Sequence, residues 1–244
     1  MILFGIGPRE VRAYKNKVGR RIRKLNVVFA LAALLPFIVY GLFAIDILKA
    51  KPRFNRDIEI PVAMVQTAQG IGSAFLYGER ELLTAKHVIE GMQVGDQVTL
   101  VFQNANPVIS TQARISWIDP NNSPETDPNH YLHDVAKLEL VQPTDLPEDF
   151  PRLLLGDSDG ITSRTSVILV GYPAGSPSTT TGTISSEDVQ GVDLFQLDVS
   201  AYPGNSGGPL ILEDTEEVIG ILIAGKSGQF QGINFAIKVN SVQQ

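Results

Sequence analysis

From Val62 onward the chain alternates short β-like runs with turn residues, and this pattern constrains the fold more than any other feature. Each run is apolar or alternates apolar with polar residues, and glycine, proline, asparagine, aspartate and serine separate the runs. The runs form two sets of six, with a proline-containing connector at 142–151 between them: 62–67, 71–77, 82–85, 97–103, 112–118 and 135–140, then 166–171, 181–186, 194–199, 209–212, 218–224 and 232–237. Helical periodicity is confined to a turn after His87 and the last few residues. The pattern therefore predicts an all-β fold of two six-stranded antiparallel β-barrels.

A different kind of segment precedes the β-like runs. Residues 26–45 carry no charge, and at about 1.5 Å per residue a helix of this length spans a bilayer core of about 30 Å. Lysine and arginine are frequent in 9–24 and less so after the apolar run, which favours a cytoplasmic N-terminus. A cleaved signal peptide and a buried core helix are the alternatives for this segment. We predict one transmembrane helix.

These features divide the chain into four parts. We predict a basic cytoplasmic segment, a transmembrane anchor, a tether and a globular domain, at 1–24, 25–46, 47–60 and 61–244. Within the domain, barrel one covers about 61–141 and barrel two about 152–240. The predicted location is a bacterial inner membrane, with a single pass and the domain on the periplasmic or other extracytoplasmic side.

Charge and cysteine content exclude several classes of function. The formal net charge of −6 argues against nucleic acid as a partner of the whole chain. The chain has no cysteine, which excludes a thiol nucleophile, a thiolate metal site and disulfides.

The segment PGNSGGPL, at 203–210, places Ser206 among three glycines. Glycine permits backbone angles closed to other residues, and a serine in such a loop is a candidate nucleophile with N–H groups beside it. Gly204, Ser206 and Gly208 also fit the G-x-S-x-G elbow of α/β-hydrolases. That fold needs its histidine after the serine, and no histidine follows Ser206. A glycine-rich surface turn without chemistry remains the other interpretation.

A serine nucleophile needs a base, and histidine is the side chain whose ordinary pKa lies near neutral pH. His87 lies in LLTAKHVIEG, directly after a β-like run, where its ring is free to reach outward. Asp134 begins DVAKLEL, so its carboxylate enters the edge of the core as a strand starts, where it can hold a histidine in the correct tautomer. Each residue alone fits a structural role. Their joint appearance in the order His, Asp, Ser favours a catalytic set.

With these residues in place, the chain resembles the HtrA (Deg) type of trypsin-fold serine proteases over about 60–240. The matching segments are GIGSAFLY, LLTAKHVIEG, HDVAKLEL, TGTISS, LDVSAYPGNSGGPL, VIGILIAG and GINFAIKVN. The resemblance implies two six-stranded barrels with the active site between them, in agreement with the twelve runs. It implies His87 as general base, Asp134 as its orienting group and Ser206 as nucleophile, with the N–H groups of Gly204 and Ser206 as oxyanion hole. The implied activity is a serine endopeptidase that cleaves exported or misfolded proteins through an acyl-enzyme, with no metal or cofactor.

The resemblance also suggests a substrate pocket. Ser200 lies six residues before Ser206, near the floor of the pocket for the residue before the cut, and Leu222, Ile223 and Ala224 would form one wall. Because serine is neutral, we predict small to medium apolar residues at the cleavage site. The alternative is that these are simply strand residues of barrel two.

Two features near His87 depart from the family. Lys86 stands where the family has a small residue; we expect its side chain to point to solvent, the alternative being that it lowers the pKa of His87. The polar segment 119–134 is expected to cover or frame the cleft. Its His130 and His133, beside Asp127 and Asp134, would also allow a metal site, but we predict a solvated loop.

The chain stops at Gln244, so we expect no PDZ domain in cis to regulate it, unlike many family members. Expected partners are polypeptide substrates, the membrane through the N-terminal helix and, by family resemblance, two further copies in a homotrimer. Two other functions stay open. One is a catalytically silent trypsin-fold protein used for binding or scaffolding, and the other is a dedicated processing protease for one membrane substrate.

Overall fold

The computed structural model describes residues 56–123, 127–225 and 234–242. They belong to one compact unit, Phe54–Gln244. The predicted basic segment, the transmembrane anchor and most of the tether lie outside the described residues. Within the part that the structure describes, no helix has the length and apolar character to span a membrane.

The first six strands form barrel one. They are β1 Val62–Gln66, β2 Ile71–Leu76, β3 Glu81–Thr84, β4 Gln97–Phe102, β5 Ile109–Ile118 and β6 Ala136–Leu140. All neighbours are antiparallel, and the sheet closes in the order β1-β2-β3-β6-β5-β4. In β6 the side chains alternate between buried Ala136, Leu138 and Leu140 and half-exposed positions. This is the period of two that a strand with one face toward a barrel interior requires.

The second six strands form barrel two. They are β7 Ser166–Gly171, β8 Ser178–Ser186, β9 Leu194–Asp198, β10 Pro209–Leu212, β11 Val218–Gly225 and β12 Asn234–Lys238. This sheet closes in the order β10-β11-β12-β9-β8-β7. Every residue of β12 is buried, because Ala236 faces the interior of barrel two while Phe235 and Ile237 join the core shared with barrel one. Strand β12 thus lies between two hydrophobic layers.

The prediction of two six-stranded antiparallel barrels is confirmed. Each of the twelve predicted runs overlaps one of the twelve strands, and short 3₁₀ helices lie at Lys86–Ile89 and Val239–Ser241, where helical turns were expected. Two strands begin three residues earlier than predicted, β5 at Ile109 and β8 at Ser178. The added residues of β8 are polar and pair with the end of β7, so backbone hydrogen bonds rather than apolar alternation place them in the sheet.

Tyr172 follows the last residue of β7 and connects barrel two to barrel one. Its ring is fully buried and its hydroxyl donates to Val62 O at 2.8 Å. Burial, reinforced by Glu59, raises the pKa of Tyr172 to about 12, although backbone hydrogen bonds at Gln103 and Asn104 oppose this shift. The phenol therefore stays protonated near neutral pH and keeps its hydrogen bond to barrel one.

Candidate active site

His87 is presented by the turn that follows β3. The 3₁₀ helix Lys86–Ile89 buries Val88 and Ile89 beneath it and leaves 43% of the His87 side chain exposed. Asp134 holds this residue twice: its Oδ1 accepts from the backbone N–H of His87 at 2.8 Å, and its Oδ2 lies 2.6 Å from Nδ1. Backbone and ring are therefore fixed by one carboxylate.

Asp134 itself lies between the 3₁₀ helix Pro128–His133 and strand β6, with its side chain only 14% exposed. With a carboxylate facing Nδ1, that nitrogen carries the proton and Nε2 is left with a free lone pair. Burial lowers the pKa of His87, but the hydrogen bond and charge of Asp134, with the charge of Glu90, outweigh it and raise the pKa above its ordinary 6.5. The ring is thus oriented as a base and stabilised once it takes up a proton.

Hydrogen bonds to its backbone carbonyl groups hold the loop around Ser206. Pro203 O accepts from Ala174 N at 3.1 Å, and Asn205 O accepts from Gly208 N at 2.9 Å. Ser73 donates to the other two carbonyl groups, from Oγ to Gly204 O and from its backbone N to Ser206 O, both at 2.8 Å. Barrel one supplies two of these donors through a single residue of β2. The course of the loop is thus fixed from outside as well as from within.

The amide groups of the loop divide into two kinds. Asn205 N donates to Tyr202 O at 3.0 Å and Gly207 N donates to Leu222 O at 2.7 Å. The N–H groups of Gly204 and Ser206 have no acceptor among the described residues. Free donors two residues apart, beside a serine hydroxyl, are the arrangement that stabilises a developing oxyanion. These are the two residues that the sequence analysis assigns to an oxyanion hole.

Two glycines are required by this path. Gly204 has φ +106°, and a Cβ there would lie 2.3 Å from Tyr172 O. Gly207 has φ +84°, and a Cβ there would lie 2.1 Å from Ser73 O. Both positions combine the left-handed region with a contact to rigid backbone, which no other residue tolerates without moving the loop.

Ser206 lies at the junction of the two barrels, since its carbonyl accepts from the backbone N–H of Ser73 in β2. Its Oγ makes a long hydrogen bond of 3.4 Å to Ile223 O, and none joins it to His87 among the described residues. Ile223, His87 and Asp134 line one cleft of about 600 Å³. The following residue of the loop touches the chain just before His87, since a Cβ at Gly207 would lie 2.9 Å from Ala85 N. The structure therefore pairs His87 with Asp134 and places Ser206 beside their cleft.

The family model of the trypsin-like peptidase domain matches residues 72–221, which include His87, Asp134 and Ser206. The chain belongs to the trypsin-like peptidase family. A probable periplasmic serine endoprotease, DegP-like, of Pseudomonas fulva is 32% identical to this chain over 182 residues, which cover 71% of this chain and 33% of the relative. A putative serine protease, HhoB, of Synechocystis is 30% identical over 206 residues, covering 79% of this chain and 44% of the relative.

Solved structures agree with these relatives. The HtrA-type protease AlgW with a tripeptide superposes with a TM-score of 0.60 and 29% identity, covering 77% of this chain and 60% of that one. The resemblance to HtrA-type trypsin-fold proteases is thereby confirmed. The chain spans about a third of the length of the DegP-like relatives that it matches.

The four residues predicted to form the substrate pocket occupy different environments. Ser200 is exposed and its carbonyl accepts from Thr180 Oγ1 at 3.1 Å. Leu222 packs into the interior of barrel two, whereas Ile223 lines the cleft. Ala224 belongs to β11, and its side chain lies outside what the structure describes. The pocket assignment therefore remains a prediction. Among the described side chains, Ile223 is the one of the four that lines the cleft.

Two buried polar residues near the site were missed by sequence reasoning. Asn234 in β12 donates from Nδ2 to Val199 O at 2.6 Å, next to Ser200. Ser73 in β2 bonds to the Ser206 loop. The signal that could have found both is a polar residue inside an apolar run, because a buried polar group must find a partner.

The expectation that Lys86 points to solvent was wrong. Its Nζ contacts three oxygens at 2.8 Å, which belong to the backbone of Asp119 and Asn121 and to the side chain of Asn122. An ammonium group has three donors, and this polar segment offers three acceptors within reach. Lys86 thus fastens the segment 119–122 beside His87, where it frames the cleft.

The two histidines of the same segment also have partners. His133 Nδ1 lies 3.1 Å from Asp119 Oδ2 and its Nε2 lies 2.8 Å from Asn121 Nδ2, while His130 Nδ1 contacts Ser123 O. Neither ring faces Asp134 in these contacts. The described residues contain no cluster of three metal-ligating side chains.

Proposed function

We propose that this protein is a serine endopeptidase that hydrolyses peptide bonds of exported or misfolded proteins, with His87, Asp134 and Ser206 as catalytic residues. The observation that carries the proposal is the double hydrogen bond of Asp134 to His87, at 2.8 and 2.6 Å, beside a serine loop in which two N–H groups have no acceptor among the described residues. The proposed substrate class rests on the DegP-like relatives, which are described as periplasmic serine endoproteases.

The proposed mechanism follows from the positions of these groups. Ser206 Oγ attacks the scissile carbonyl carbon while His87 Nε2 takes the hydroxyl proton, and Asp134 stabilises the resulting imidazolium. The oxyanion binds the N–H groups of Gly204 and Ser206, of which the loss of one typically costs about 10²–10³ in rate. His87 then gives its proton to the leaving amine, and an acyl-enzyme remains. Water attacks this ester with His87 again as base, which restores Ser206.

The substrate chain is proposed to lie in the cleft beside His87. Its lining combines apolar Met92, Ile118, Tyr131 and Ile223 with the polar segment that Lys86 holds. A lining of this kind accepts extended peptide through both apolar contacts and hydrogen bonds. We keep the predicted preference for small to medium apolar residues at the cut, because neutral Ser200 offers a basic side chain no counter-charge.

We also propose the location and assembly predicted from the sequence. The uncharged segment 26–45 and the basic residues before it support a single-pass inner-membrane protein with a cytoplasmic N-terminus and a periplasmic peptidase domain. The homotrimer rests on the family resemblance alone.

The proposed activity is tested with the full chain in detergent, using unfolded casein and a fluorophosphonate probe. We expect casein fragments and one label, located by mass spectrometry on the peptide that contains Ser206. Labelling without casein cleavage would favour a processing protease of narrow specificity. A folded protein that neither cleaves nor labels would contradict the proposal and favour a silent binding protein.

The pH dependence of kcat/KM gives a second test, because the base must be neutral to accept a proton. Since the pKa of His87 is raised, we expect activity to fall with decreasing pH through a midpoint above 6.5. Glu90→Gln should move this midpoint down, because the charge of Glu90 helps to raise the pKa. Glu148→Gln removes the same charge at an exposed site of the connector and should leave the midpoint unchanged. A pH profile without an acid limb, or an upward shift of its midpoint in Glu90→Gln, would be inconsistent with His87 as the base.

A further inference from the structure

Ser73 is a fully buried serine of barrel one that contacts the nucleophile loop of barrel two. Its backbone N–H donates to Ser206 O at 2.8 Å, and its Oγ donates to Gly204 O at 2.8 Å. One residue thus holds the carbonyl groups on both sides of Asn205. The first of these bonds is available to any residue except proline, whereas the second needs a side-chain donor.

The Ser73 hydroxyl also accepts a hydrogen bond. Tyr172 N donates to Ser73 Oγ at 3.0 Å, so the hydroxyl bridges the end of β7 and the loop. Tyr172 is also the residue whose carbonyl a Cβ at Gly204 would meet at 2.3 Å, so it forms the wall behind that glycine. Through its two hydrogen bonds, the Ser73 hydroxyl therefore sets the distance between Gly204 and the backbone of Tyr172.

A second hydroxyl fixes Ser73 itself. Thr84 is fully buried in β3 and its Oγ1 donates to Ser73 O at 2.7 Å. The strand that carries Ser73 is thereby tied to the end of β3, three residues before His87. A continuous set of hydrogen bonds runs from the strand that leads to the base to the loop that carries the nucleophile.

We propose that Ser73 is a positioning residue for the oxyanion donors, an inference that rests on the proposed peptidase function. By anchoring Gly204 O and Ser206 O, it fixes the segment that carries the N–H groups of Gly204 and Ser206, for which the described part of the chain offers no acceptor. Its contribution acts on the tetrahedral state, in which the substrate oxygen develops charge, and only weakly on ground-state binding.

The test compares Ser73→Ala with Ser158→Ala in the full chain. Ser158 is the matched control, since it is also fully buried and its Oγ accepts one hydrogen bond, from Asn240 N at 3.1 Å, away from the loop. We expect Ser73→Ala to lower kcat about 10- to 100-fold with KM changed less than about threefold, as for a misplaced catalytic geometry. Ser158→Ala should retain kcat even if both variants unfold at lower temperature. An unchanged kcat in Ser73→Ala, or an equal fall in Ser158→Ala, would overturn the inference.

Hydrogen exchange tests the same inference without relying on activity. Because Ser73 Oγ is the acceptor of the Tyr172 amide, Ser73→Ala should speed exchange at Tyr172 and at the two hydrogen-bonded amides of the loop, Asn205 and Gly207, but not in β12. Unchanged exchange there would refute the positioning role whether or not the protein cleaves peptides. Inactivity of the wild-type protein with the expected exchange would instead count against the proposed function alone. If Ser73→Ala does not fold, Ser73→Cys carries the test: its weak thiol donor should give a kcat and an exchange rate between those of the wild type and full loss.

Discussion

Replacing Ser206 with alanine should lower peptide hydrolysis on the order of 10⁶-fold, the loss that follows removal of a serine protease nucleophile. Fluorophosphonate labelling should disappear with it, because no covalent bond to the probe forms without Oγ. The variant should still fold, since the one hydrogen bond of the Ser206 hydroxyl among the described residues is the 3.4 Å contact with Ile223 O. The loop itself is held by backbone groups that alanine retains.

The measurement is single-turnover hydrolysis of a peptide, with circular dichroism and thermal unfolding as checks of the fold. Ser163→Ala removes a hydroxyl from an exposed loop of barrel two and should keep full activity. Labelling that persists in Ser206→Ala would show that another serine is the nucleophile. Loss of labelling in Ser163→Ala would show that the probe reports folding rather than chemistry.

The structure bears on the state of the nucleophile loop. Each carbonyl from residue 203 to 206 accepts a hydrogen bond, and the N–H groups of Gly204 and Ser206 have no acceptor among the described residues. In the proposed function these two N–H groups are the oxyanion donors, and no acceptor among the described residues has to be displaced from them before a substrate oxygen binds.

Much of this architecture follows from the sequence for a clear physical reason. Strands such as β6 bury every second side chain, so their apolar alternation is visible in the residues. The polar start of β8 has no such signal, because Ser178 and its neighbours enter the sheet through backbone pairing with β7. Pairing partners lie far apart in the chain, and single-sequence periodicity does not contain them.

The same distinction separates the site residues that were predicted from those that were not. His87 and Ser206 carry reactive groups within recognisable sequence segments, so the residues around them are enough to predict them. Ser73, in contrast, donates to Gly204 O, which lies 131 residues further along the chain. The nearest acceptor of Lys86 in the sequence is the carbonyl of Asp119, 33 residues away. Their roles depend on which loops the barrels bring together, so only the folded structure reveals them.

Asp134→Asn should lower kcat about 10⁴-fold while the protein stays folded. An asparagine at this position still offers Oδ1 to the backbone N–H of His87, so the 2.8 Å bond that fixes the turn can persist. Its amide NH₂, however, donates where the carboxylate accepted, and it faces Nδ1 at the place of the 2.6 Å contact. The imidazole must then carry its proton on Nε2, where it no longer accepts the proton of Ser206.

Steady-state kinetics and thermal unfolding of Asp134→Asn decide between an orienting and a merely structural carboxylate. Asp149→Asn makes the same chemical change at an exposed position of the connector and should retain kcat. The substitution also removes the negative charge that helps to raise the pKa of His87. The remaining activity should therefore fall with decreasing pH through a midpoint lower than that of the wild type. A loss of less than about tenfold in kcat, with an unchanged acid limb, would mean that Asp134 supports the turn but does not govern the tautomer of His87.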